Sequence, residues 1–173
     1  MEQTFTSTTT NGVVIGLILI LLALGMYLGN IELNGLVKWL GYIIYFLGII
    51  WSVYSYGKQI NYNSTFGNYF AHGFKVSALV TAIMIIYIII FITLFPDFKE
   101  KAIDEARKGM QANKDLSQEQ ISQFVEGTRK FFMVILIGGT LLIYIISGAL
   151  SALVGAAITK KEPGQIPGNI NQI

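Results

Sequence analysis

The chain has 173 residues, of which 53% are apolar and only 13% charged, where a soluble domain carries about 25% charged residues. Its mean hydropathy of +0.59 argues against a water-soluble core. The net charge of +2, with bases interleaved among acids, points away from nucleic acid as a partner. With no cysteine, neither a disulfide framework nor a thiolate metal centre can form.

Crossing about 30 Å of hydrocarbon takes roughly 20 apolar residues of helix. Four runs meet or approach that length, at 12–28, 36–56, 76–95 and 131–153, and none carries Asp or Glu. The first follows MEQTFTSTTTN, which supplies Glu2 but no Lys or Arg, whereas a cleaved signal begins with a positive region; a retained span is expected. GNIELNG, at 29–35, is a turn-rich connector that makes the first two spans antiparallel neighbours. Lys38, beside Trp39, reads as an anchor whose stem snorkels toward the headgroups.

NYNSTFGNYFAHGFK, at 61–75, holds the only histidine of the chain. After Ser64 or Thr65 as N-cap, helical spacing puts Phe66, Tyr69, Phe70, Gly73, Phe74 and Ser77 on one face and Asn68, His72 and Lys75 elsewhere. An amphipathic helix at headgroup level, leading into the third span, is the expected structure. Its candidate interfacial residues are Phe66, Tyr69, Phe70, His72, Phe74 and Lys75, with His72 read as a polar interfacial residue rather than a ligand.

Between the third and fourth spans, residues 97–130 predict an extramembrane helical hairpin. Phe98, Ala102, Ile103, Ala106 and Met110 share a face of its first helix, and Lys101 with Glu105 and Asp104 with Lys108 are opposite charges four apart. Ser117 and Gln120 have capping-box spacing at the start of the second. The stripe Ile121, Phe124, Val125, Thr128, Phe132 continues into the fourth span, with Gly127 the place for a bend. After the fourth span, 160–173 is rich in Gly and Pro and reads as a flexible tail.

Helices associate in lipid largely where small residues allow close approach. Gly12 with Gly16, Gly25 with Gly29, and Ser147, Ser151 and Gly155 at four-residue steps are the candidate packing positions. They are expected to pack the chain on itself, with any leftover face available to a second copy or another membrane protein.

Little in the chain points to chemistry. The metalloprotease, P-loop, nucleophile-elbow and dinucleotide-binding motifs are all missing. In a four-span topology the seven carboxylates of 97–130 emerge on the side opposite His72. No catalytic, cofactor-binding or metal residues are therefore assigned, and no cofactor or enzymatic activity is expected.

TFGNYFAHGFKVSA, a later FPDFKEKAIDEARKGM, the LSQEQI helix start and a last span ending SGALSALVGAAITKK together resemble the bacterial membrane-protein family called domain of unknown function 4199. The resemblance runs from Gly12 to Lys161 and implies a four-helix inner-membrane protein, mainly of Bacteroidetes, with no established activity. Counted literally, Lys and Arg favour a cytoplasmic hairpin; the resemblance implies both termini in the cytoplasm, and that orientation is adopted. The reading is an all-α integral membrane protein of the bacterial inner membrane, comprising a single four-span domain. Its partners are the lipid bilayer and either its own copies or other membrane proteins. Its role is non-enzymatic, structural or accessory, with a small oligomeric channel or transporter subunit as the alternative.

Overall fold

A computed structural model of the chain describes residues 7–31, 37–112 and 116–159. The expected tail at 160–173, most of the 29–35 connector and the Lys38 side chain lie outside what is described. Among the described residues the chain forms six helices and no strand: α1 (Thr8–Leu28), α2 (Val37–Gln59), α3 (Phe66–Leu94), α4 (Asp97–Gln111), α5 (Gln118–Lys130) and α6 (Phe132–Ile158). Helices α1, α2, α3 and α6 are long and apolar enough to cross a membrane.

Two turns next to the first spans close by the same device. Asn30 (φ 47°) and Asn61 (φ 50°) take left-handed backbone conformations, just past the ends of α1 and α2. At the first, Ile31 N–H reaches Met26 O and Asn30 N–H reaches Tyr27 O; at the second, Tyr62 N–H reaches Gly57 O and Asn61 N–H reaches Lys58 O. These paired bonds satisfy carbonyls that a helix end leaves open.

The structure divides into two compact units. The first contains α1, α2, α3 as far as Val80 and α6 from Ile145. Its helices turn one stripe inward each: Asn11, Gly12, Ile15, Gly16 and Leu19 of α1; Tyr45, Ile49, Ser52 and Val53 of α2; Tyr69, His72, Val76, Ser77 and Val80 of α3; Ser151, Ala152 and Ala156 of α6. Large apolar side chains such as Leu17, Leu21, Leu47, Trp51, Leu150 and Val154 point outward. Polar groups inside and apolar groups outside is the arrangement lipid demands, since hydrocarbon offers exposed polar groups no partners.

Small residues set the spacing inside this unit. A Cβ at Gly73 would lie 2.6 Å from Val53 and 2.9 Å from Ala152, and one at Gly155 would lie 3.0 Å from Val53. The face of α6 that includes Ser151 and Gly155 is thus covered by α2 and α3 of the same chain.

The second unit, residues 81–144, holds the rest of α3 and α6 with α4 and α5. Helices α4 and α5 pack on each other, each burying one isoleucine, Ile103 and Ile121. Arg129 donates to Glu100 at 2.7 Å, but both side chains are more than half exposed, so this pair contributes about 1 kcal/mol at most. The Ser117 and Gln120 capping box is formed, with Gln120 N–H on Ser117 Oγ at 3.2 Å and Ser117 N–H on Gln120 Oε1 at 2.9 Å. The helix breaks between α5 and α6 at Phe131 (φ −105°) and not at Gly127, where a bend is expected and whose carbonyl keeps its helical bond from Phe131 N–H.

The amphipathic stretch at 66–75 is expected to turn or to continue into the third span at 76–95. The structure has one helix, Phe66–Leu94. No proline interrupts the stretch, and Gly73 sits in close helix contact instead of opening a bend.

Candidate functional site

Polar side chains of α1, α2 and α3 meet at one place in the first unit. Ser7 caps α1, its Oγ accepting from Thr10 N–H at 3.2 Å. That start fixes Thr8 and Asn11 on the first turn. Asn11 Nδ2 donates to Ser52 Oγ at 2.8 Å, Ser52 Oγ lies 3.2 Å from His72 Nε2, and Thr8 Oγ1 lies 3.3 Å from His72 Nδ1. Ser52 is 0% exposed and His72 8%.

The hydrogen count gives this chain a direction. The Asn11 amide uses a lone pair of Ser52, so the serine hydrogen is free to point at Nε2. With a neutral ring, Nδ1 then carries the proton and donates to Thr8 Oγ1. A run of three bonds, Asn11 to Ser52 to His72 to Thr8, is satisfied in one sense, as a buried polar network requires. The Tyr56 ring stacks on the imidazole at 4.3 Å and 4° and meets Tyr69 edge-on at 6.2 Å, which fixes the ring plane.

A second polar contact lies further along the same helices. Tyr45 Oη and Ser77 Oγ are 2.7 Å apart, a cross-helix hydroxyl pair buried beside Gly148. A Cβ at Gly148 would collide with Ser77 and stand 2.6 Å from Tyr45 Oη.

Of the six residues singled out at 66–75, the structure buries Tyr69 and His72 and leaves Phe66, Phe74 and Lys75 exposed. Phe70 is half-buried and stacks on Phe74 at 5.9 Å. The buried stripe Tyr69, His72, Gly73, Val76 therefore cuts across the aromatic face that spacing suggests. Of the candidate packing positions, Gly12 and Gly16 are buried, Gly12 against Leu79. Gly25 has nothing near it, and Gly29 caps α1. Ser151 donates to Ser147 O at 2.6 Å, and Gly155 meets Val53 and Ile50. Thr8, Asn11 and Tyr56 carry no motif. Their one sequence signal is Asn11 itself, an amide at the edge of an apolar run.

Among the described residues, no three His, Cys, Asp or Glu side chains group as a metal site. Four helices long and apolar enough to cross a membrane, with polar side chains of α1, α2 and α3 paired between them, define a multi-pass α-helical membrane protein. Residues 10–161 match the family model described as "Protein of unknown function (DUF4199)", and the chain belongs to that family. No curated protein and no solved structure matches it.

Proposed function

We propose that this protein is a non-enzymatic structural or accessory component of the bacterial inner membrane, acting through helix packing with itself or with other membrane components. The observation that carries the reading is the use made of His72. Both ring nitrogens are engaged by Ser52 and Thr8, and the ring is covered by Tyr56. A histidine so held ties α1, α2 and α3 together, which supports a structural part for the most polar cluster of the first unit.

In this reading both termini face the cytoplasm, the first turns of α3 sit at headgroup level, and α4 and α5 stand outside the bilayer on the opposite side. There they present a charged surface to a partner. Crosslinking in native membranes followed by copurification in mild detergent tests the role. Self-association or a reproducible membrane partner is expected; a strictly monomeric, partnerless protein refutes it. The chain has no cysteine of its own, so an introduced Lys101→Cys can be labelled from one side of the membrane to test the orientation.

A further inference from the structure

Helix α3 is longer than the hydrocarbon it crosses. Its 29 residues reach about 44 Å, against about 30 Å of bilayer core, and exposed Lys75 suits the edge where the excess ends. His72, one turn further out, then lies at headgroup level, enclosed but 8% exposed. Its bonds depend on a neutral ring. Ser151 and Thr159 donate to the carbonyl four residues back, whereas the described partners of Ser52 are Asn11 and His72 alone. With the Asn11 amide donating to it, the Ser52 hydroxyl has one acceptor for its hydrogen, Nε2, and a proton on that nitrogen removes it.

Turning the Asn11 amide over would restore the number of bonds but not the balance of charge. The described part of the first unit contains no Asp or Glu, so an imidazolium there has no anion to face. From α2, Tyr56 stacks on the ring; its π-face is the one feature that favours a cation. From α3, Tyr69 meets Tyr56 edge-on, and burial together with the like charge of Lys75 opposes a charge on the ring. The described parts of α1 and α6 carry only Tyr27 and Tyr144 as ionisable side chains. We infer that His72 is an acid-sensitive latch, whose protonation loosens the first turns of α1 from α2 and α3. The latch goes beyond the accessory role and rests only on the placement of His72 at headgroup level. A ring neutral in the closed state and free to charge once released leaves stability whole above about pH 6.5, the ordinary imidazole value, and lowers it as pH falls below. By pH 5.5 one such group can remove at most about tenfold from the ratio of closed to open forms.

The test takes the full chain in detergent from about pH 7.5 to about pH 5.5 with two readouts, a range that brackets the ordinary imidazole value. Amide hydrogen exchange across 8–16, corrected for its intrinsic dependence on pH, gives the protection of the first turns of α1. Because the chain has one histidine, the imidazole resonance in a proton NMR spectrum reports protonation of His72 directly. Protection of 8–16 is expected to fall by up to about tenfold as the imidazole titrates, with no comparable change across 118–130 in α5. His72→Gln, which has nothing to titrate, should protect 8–16 equally at both ends of the range. If His72→Gln does not fold, Lys75→Glu keeps the test open: it places an anion beside the ring from an exposed position and should shrink the fall. Unchanged protection of 8–16 in the wild type overturns the proposal, as does a fall of the same size in His72→Gln or in Lys75→Glu.

Discussion

Ser52 of α2 is hydrogen-bonded to both Asn11 of α1, at 2.8 Å, and His72 of α3, at 3.2 Å, so a single hydroxyl with no exposed surface joins three helices. Ser52→Ala takes away the acceptor of the Asn11 amide and the partner of Nε2 together. The expected loss is about 0.5–2 kcal/mol, the range for hydrogen bonds between membrane helices. Because Ser52 and His72 act in one network, the double variant Ser52→Ala, His72→Ala should lose less than the two single losses added together. Melting of the four proteins in detergent gives the coupling; strict additivity would show that the bond contributes nothing.

Gly148 and Gly139 lie nine residues apart on α6 and should respond oppositely to alanine. At Gly148 the new methyl meets Ser77 and the Tyr45 hydroxyl, parting a buried pair, and overpacking of this kind costs about 1–3 kcal/mol. At Gly139 nothing lies within 4 Å, so alanine should gain about 0.5–1 kcal/mol from helix propensity. Thermal melts of Gly148→Ala and Gly139→Ala side by side check both signs.

That contrast also marks how far the sequence carries. The spans are legible because a membrane imposes a length and forbids carboxylates, constraints visible in any run such as 76–95. The α5 cap is legible because Ser117 and Gln120 need only each other. The surroundings of His72 are not, because its partners come from 20 and 64 residues away and its own helix cannot show whether a polar side chain meets water or another polar group. Spacing groups Tyr69 and Gly73 with Phe66 and Phe74; the structure instead turns the side that Val53 and Ala152 can approach at Gly73, and His72 goes inward with it. Gly25 and Gly155 make the same point. Both stand in small-residue patterns, yet only Gly155 has a neighbour in contact.

In the second unit the cap should outweigh the ion pair. Ser117→Ala removes the acceptor of Gln120 N–H and half of the capping box, costing about 0.5–2 kcal/mol. Glu100→Gln removes a salt bridge between two exposed side chains and should cost no more than about 1 kcal/mol, less at high salt. Hydrogen exchange across 118–130 is the readout. Faster exchange confined to the first turns of α5 is expected for Ser117→Ala, and little change for Glu100→Gln.

The turn before α3 is set by Asn61, whose φ of 50° lets its own N–H reach Lys58 O and the next reach Gly57 O. A β-branched side chain in that region costs about 1–2 kcal/mol, so Asn61→Val should lower the melting temperature, whereas Asn61→Gly, free of the Cβ penalty, should hold or raise it. Tyr62 follows with a φ of 54° and rests against Tyr54 at 6.2 Å, so the ring contact helps hold a second unfavourable backbone angle.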